Sequence, residues 1–358
     1  MIVRILLLGL LPLVAGCDTL AYYKQAIGGH LEIMGAARPV EAWLADPATS
    51  AALRERLETA RRIREFASRH LGLPQNRSYT LYAELGRPFV VWNVFAAPEF
   101  SVDPRKECFP FTGCVGYRGF FSEQDARRHA ERLKAEGYDV HVGGVPAYST
   151  LGWFDDPLLS TFIRYPDAQL ARLVFHELAH QLVYARDDTT FNESFAVAVE
   201  EEGVRRWLEA EGQAEGRSAE LEAFRASQAR RQQFADRIKE ARARLALVYK
   251  EKGVSRGILQ SRKREEFEKL RAEYPKIVPA EPNNAFLVSV ALYTELVPQF
   301  EALLRESGGD LEVFYAKVKE MGKSGKRLKP PGPAAALCDA RRLRGGPATK
   351  SGECPRTS

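Results

Sequence analysis

Little in this chain points to nucleic acid. Its 52 Lys and Arg face 47 Asp and Glu, and a formal charge of +5 over 358 residues makes no case for a polyanionic partner. Long apolar runs are scarce as well. Beyond the first twenty residues no segment reads as apolar enough to span a bilayer, so no polytopic membrane protein is expected. No internal repeat is evident, which sets aside solenoids and propellers. Cysteines number only five, and no second thiol pair stands at zinc-ribbon spacing, which argues against a site built on thiolates. The remainder, 45% hydrophobic and 28% charged, is ordinary for a folded globular protein with one large or two modest domains.

The one marked apolar run stands at the start, in "MIVRILLLGLLPLVAGCDTL". Arg4, the stretch Ile5 to Val14 and the small residues before Cys17 have the layout of a secretory signal over residues 1–16, too short to cross as a helix. "LVAGC" resembles a bacterial lipobox, which implies cleavage before Cys17 and lipidation of its thiol. The expected location is therefore the cell envelope, lipid-anchored to a bacterial membrane and facing the periplasm. Export would let the other four cysteines pair. Cys108 and Cys114 enclose the short loop "CFPFTGC" and are candidates for one bridge, Cys338 and Cys354 for another.

Periodicity predicts an α+β fold, with a mixed half over 17–165 and a helical half over 166–322. Ala51 to His70 repeats apolar residues at helical spacing through Leu53, Leu57, Ile63 and Phe66. "SYTLYAEL", "PFVVWNVFAAPEF" and "YDVHVGGVPAYSTLGWF" are aromatic and β-branched and read as strands of a small antiparallel sheet. Ser122 would cap a helix over "SEQDARRHAERLKAEG". A charged helical hairpin is expected over 218–274, with solvated outer faces, followed by one helix over "NNAFLVSVALYTELVPQFEALLRES" and a short one over "DLEVFYAKVKEMG". The tail, 323–358, is rich in Pro, Gly and basic residues and reads as disordered.

The chemistry is concentrated in "LVFHELAHQLVYARDDTTFNESFAVAVEEEG". His176 and His180 stand four residues apart, so on a helix both imidazoles project from one face toward a single cation. Glu177 sits beside them, placed to address a water rather than the metal. Chance would produce His-Glu-x-x-His in on the order of one such chain in a hundred. Twelve residues separate His180 from Glu193, enough for a second helix to return and offer Glu193 as third ligand. Glu200, two turns on, competes for that role or serves as a partner to a histidine. Asn192 reads as a helix cap. Zn²⁺ is the expected cofactor, with Glu177 as general base.

"HELAH…NESFA" is similar to the zinc aminopeptidases of the aminopeptidase N type, which carry HELAH and a downstream NEGFA, though the intervening loop here is shorter. More of the chain resembles a family of bacterial lipoproteins assigned an aminopeptidase activity, gluzincin-like in its motifs. "VVWNVFAAPEFS", "CFPFTGCVGYRGFF", "AYSTLGWFDDPLLSTF" and "NNAFLVSVALYTELVPQFEALL" carry that likeness. It implies a membrane-tethered zinc peptidase acting on peptide substrates. It also implies a substrate-binding edge strand at Ala147 to Pro157, an acid for the free amino group among Asp155, Asp156 and Glu99, and Tyr293 as oxyanion stabiliser. Endopeptidase action, and a non-catalytic lipoprotein with a structural metal, are the alternatives. Glu177 argues against the latter, because a structural site needs no base.

Overall fold

The computed structural model describes residues 2–110, 112–215, 218–325 and 328, with backbone alone at 2–18 and 212–215. It is an α+β fold, as the periodicity predicts. The first half comprises α1 (Ile2–Ala36), β1 (Arg38–Pro39), α2 (Val40–Ala45), α3 (Ala51–Leu71), β2 (Leu81–Ala83), β3 (Val91–Pro98), β4 (Glu107–Phe109), β5 (Gly113–Val115), β6 (Arg118–Phe120), α4 (Glu123–Ala135), β7 (Tyr138–Val145) and β8 (Leu158–Leu159). The second half is helical: α5 (Asp167–Leu182), α6 (Thr189–Glu215), α7 (Ser218–Val248), α8 (Arg256–Glu273), α9 (Asn284–Thr294), α10 (Val297–Glu306) and α11 (Leu311–Ser324).

The central sheet runs β6-β3-β7 with both pairings antiparallel, and Val91 to Pro98 of β3 lies opposite Val145 to Tyr138 of β7. Trp92, Val94 and Ala96 alternate onto the face that packs against Ala126, Ala130 and Leu133 of α4. Phe95 and Ala97 point the other way, onto Ala285, Val288 and Leu292 of α9. Both faces of β3 are therefore covered, which is why its seven residues Val91 to Ala97 are all buried. A second, smaller sheet runs β1-β2-β8, and its β2–β8 pair is parallel, an exception to the antiparallel expectation. Residues β4 and β5 form a separate hairpin.

The main core lies between α3, α5 and α6. Phe175, Leu178, Phe191, Phe195, Val204 and Trp207 are all fully buried there. Each such side chain contributes roughly 1.5–3 kcal/mol by leaving water. Gly203 permits the approach: a Cβ on it would come 2.8 Å from both Leu71 and Phe175. Helix α1 joins the same body through buried Ile33, and lies so close at Gly29 that a Cβ would fall 2.3 Å from the Phe121 ring.

Caps follow the sequence where it spells them. Ser122 accepts from Asp125 N at 3.2 Å, and Asp310 accepts from Glu312 N and Val313 N. Three expectations need correction. The strand ends at Val145, and Ala147 to Pro157 is a loop, turned at Leu151 with φ +57° and at Gly152 with φ +81°. The single helix expected over "NNAFLVSVALYTELVPQFEALLRES" is two, α9 and α10, because Pro298 has no N–H for Thr294 and its ring opposes that carbonyl. The stretch Asn284–Glu306 is also apolar and long enough to cross a membrane by composition, contrary to the first reading, yet Leu287, Val288 and Leu292 pack inside the protein. Lys323 and Ser324 are helical, and beyond Leu328 the expected tail, with Cys338 and Cys354, lies outside the described residues. Cys17 falls within α1 where only backbone is described.

Candidate metal centre

Helix α5 carries His176, Glu177 and His180 on its inner side, with 8–9% of each residue's surface exposed. The chain then reverses over Val183 to Asp188. Asn192, expected as a cap, instead clamps this turn: its Oδ1 accepts from Ala185 N at 2.7 Å and its Nδ2 donates to Ala185 O at 2.8 Å. The capping contact belongs to Asp188, which accepts from Phe191 N at 3.0 Å. Helix α6 therefore starts at Thr189 and lies back on α5, which brings Glu193 against the histidines. Glu193 Oε2 stands 3.3 Å from His176 Nε2 and 3.4 Å from His180 Nε2, and the two Nε2 atoms are 3.2 Å apart. Ligand atoms of His176, His180 and Glu193 all fall within 4.8 Å of one another, so the group could hold a metal ion.

Glu200 is not part of that group. Its Oε2 accepts from His176 Nδ1 at 2.8 Å, and its Oε1 is ion-paired with Arg172 Nε one turn earlier on α5. This hydrogen bond fixes a proton on His176 Nδ1, so that Nε2, facing Glu193 and His180, is the nitrogen a metal would take in place of its proton. His180 Nδ1 is buried with no partner among the described residues.

Burial alone would depress His176, but hydrogen bonds to Glu193 and Glu200 and the charges of Glu200 and Glu177 outweigh it and push the imidazole up to about 10. Burial works the other way on Glu193, and the positive charge and hydrogen bonds of His180 and His176 overcome it, holding the carboxyl well below the usual range. A buried set of two imidazoles and a carboxylate has the donor types that suit a divalent cation such as Zn²⁺.

Of the three buried glutamates around these histidines, Glu177 alone has no side-chain partner among the described residues. Burial holds its carboxyl above the usual range, and Glu193 and Asp156 add to that against the histidines. It faces a cleft of about 740 Å³ that His176, His180 and Glu193 also line. Tyr117, Tyr184 and Tyr293 form part of the wall. Tyr293 stacks near His176, with centroids 6.3 Å apart at 27°. Tyr117 donates its hydroxyl to Glu193 Oε1 at 3.2 Å.

Tyr117 is held there by the β4–β5 hairpin, which Cys108 and Cys114 close with a disulfide, as expected. The hairpin is pinned to the α5–α6 turn. Cys114 N donates to Asp187 Oδ1 at 2.7 Å, Gly116 N to Thr189 Oγ1 at 3.1 Å, and the Tyr184 hydroxyl to Thr112 O at 3.1 Å. Gly113, with φ +79°, is the turn residue, and a Cβ there would fall 2.4 Å from Asp187 Oδ1.

The model of one family, described as "Putative aminopeptidase", matches residues 21–329. The chain belongs to that family. No curated protein and no solved structure matches it. The match spans the centre, the cleft and the hairpin of this aminopeptidase-family fold together, and the activity in the family's description takes a peptide as substrate.

Several residues weighed from the sequence lie elsewhere. Asp156 is buried under the 149–156 turn, accepting from Thr150 N at 3.0 Å and Thr150 Oγ1 at 2.7 Å. Asp155 faces Arg77 at 3.4 Å, and Glu99 is taken by Gln260 and Arg256, each at 2.8 Å. None of the three lines the cleft. The Ala147 to Pro157 segment does reach it, through Ala147, Tyr148, Ser149 and Leu151, as a loop rather than a strand. Sequence reasoning missed Tyr117 and Arg172. Tyr117 stands three residues after the second cysteine of a bridge, and that placement was the only local signal.

Proposed function

We propose that the protein is a zinc-dependent aminopeptidase. The observation that carries the reading is the convergence of His176, His180 and Glu193 beside an uncommitted Glu177 in one cleft. In this reading the three residues hold Zn²⁺, which when bound supplies a Lewis acid for the scissile carbonyl and lowers the pKa of a water. Glu177 takes that water's proton and returns it to the leaving amine. Glu200 fixes the His176 tautomer through the 2.8 Å hydrogen bond, and Arg172 keeps Glu200 ionised. Tyr293 is the candidate donor for the oxyanion, and Tyr117 orients Glu193.

Arg231, Gln232 and Ala235 of α7 contribute to the wall of the same cleft. The sequence "LVAGC" supports tethering to a bacterial membrane through lipidated Cys17, with the cleft in the periplasm.

Glu177→Gln keeps the side-chain volume and removes the base. The expected outcome is unchanged zinc content with hydrolysis of N-terminally free peptides down by about 10²–10⁴-fold. Undiminished turnover would reject the mechanism.

A further inference from the structure

The face that α1 turns away from the protein has no part in the metal reading. Leu20, Lys24, Ile27 and Leu31 repeat at spacings of four, three and four, which sets them in one row along the helix. Lys24 is exposed, and Leu20, Ile27 and Leu31 each show more than half of their surface to solvent. The opposite side carries Gly29 and Ile33, through which α1 packs on the body. Beside the row stands the tip of the 149–156 loop, where Phe154 lies against His30 with ring centroids 4.5 Å apart. The Tyr148 hydroxyl, 2.8 Å from His30 Nδ1, holds the base of that loop to the same helix. Phe154 is 55% exposed and Trp153 76%, the most open large apolar side chain among the described residues. Apolar side chains gathered on one surface in this way mark a contact with a membrane or a protein.

We propose that this surface is a membrane-docking face, in which the row on α1 and the Trp153–Phe154 tip rest together in the interfacial layer of a lipid bilayer. The inference deepens the tethering proposed above and rests on it. The position of the tether makes lipid the occupant. Cys17 precedes Leu20 by three residues, so the lipobox cysteine belongs to the same helical register as the row. Acyl chains attached there enter the bilayer at the leading end of this face. The residue types agree. Trp favours the boundary between headgroups and hydrocarbon, and Lys24, the one charge in the row, has a long apolar stem that lets its ammonium reach anionic headgroups while its neighbours sit deeper. From Leu20 to Leu31 the row is roughly 16 Å long at about 1.5 Å per residue. A helix standing upright on its anchor would lift Leu31 and the loop tip into water by that distance. Lying flat, it buries row and tip at once. The same loop reaches the cleft through Tyr148, Ser149 and Leu151, so docking holds one wall of the cleft at the membrane surface.

The test uses the whole protein, expressed in a bacterium with its own N-terminus and inserted into preformed vesicles of phosphatidylcholine and phosphatidylglycerol. Trp153→Phe serves as the spectroscopic blank for the other three of the four tryptophans. Lipids brominated on the acyl chain quench Trp153 from the bilayer, and iodide quenches it from water. The expected result is bromine quenching of Trp153 with iodide quenching several-fold weaker than in the double variant Ile27→Glu, Leu31→Glu. That variant should lose the bromine quenching and keep its hydrolysis of a soluble peptide. Trp153 open to iodide and untouched by bromine in the parent would overturn the proposal and leave α1 upright on its anchor. Protection from iodide without bromine quenching, with the chain sedimenting as a dimer, would give the face to a second copy and overturn it as well. Mass spectrometry of the Cys17 peptide separates the two proposals. Unmodified Cys17 with bromine-quenched Trp153 sinks the lipid tether and keeps the docking face, and acylated Cys17 with Trp153 open to iodide does the reverse.

Discussion

Replacing Glu200 with Gln perturbs the candidate metal centre without touching a proposed ligand. Glu200 is 2% exposed and uses both oxygens, one for His176 Nδ1 at 2.8 Å and one for Arg172 Nε. An amide of the same shape has one acceptor and one donor. If its oxygen faces His176, its NH₂ meets the guanidinium; if it flips, the NH₂ meets the Nδ1–H and forces the wrong tautomer. One contact is lost either way. A hydrogen bond to a charged group contributes about 1.5–3 kcal/mol, and water reaches Arg172, whose side chain is 35% exposed, so the net destabilisation should be about 2 kcal/mol. Partners that orient a metal-binding histidine typically cost about 10–100-fold in metal affinity when removed.

The assay is zinc competition against a chromophoric chelator, alongside denaturant unfolding of the metal-free protein. Arg172→Met serves as the comparison. It removes the ion pair but leaves the His176–Glu200 hydrogen bond, so it should weaken zinc by only a few-fold. Parental zinc affinity in Glu200→Gln, or an equal loss in Arg172→Met, would refute the claim that Glu200 acts through the His176 tautomer.

Two further outcomes are expected. Tyr117→Phe removes the hydroxyl that meets Glu193 at 3.2 Å, so the chelator competition should show zinc affinity down by a few-fold and stability lower by about 1 kcal/mol. Glu201 titrates at about 7, because burial and the Glu200 charge oppose its ionisation against Arg231 and Arg172. A carboxyl raised in the folded state binds its proton more tightly there than when unfolded. Its penalty is therefore absent below the unfolded value near 4.5, grows as pH rises to about 7 and is full above it. Glu201→Gln should raise unfolding stability by about 2 kcal/mol at pH 8 and by little at pH 4.5, and equal changes at the two pH values would contradict the raised carboxyl.

The His-Glu-x-x-His pair and Glu193 were legible because local periodicity governs them. Four residues make one helical turn, and a short reversal can only lay the next helix beside the last. The Ser122 cap was legible for the same reason. Tyr117 was not, since its partner Glu193 is 76 residues away and the disulfide hairpin that delivers it docks through backbone groups. The Ala147 to Pro157 segment has strand-like composition, but Asp156 draws Thr150 and Ser149 into a turn that composition does not show. The break between α9 and α10 was readable from Pro298, and the apolar stripe running past it obscured the stop.

The most direct test of the account is the zinc content of the purified protein, measured by mass spectrometry beside His180→Ala and Glu193→Ala. N-terminally free and N-blocked peptides are assayed in parallel. One zinc per chain, lost in both variants, with cleavage of free peptides alone, is the predicted result. A parent chain that takes up no zinc after reconstitution, or a Glu193→Ala variant that keeps it, would contradict the metal centre described here.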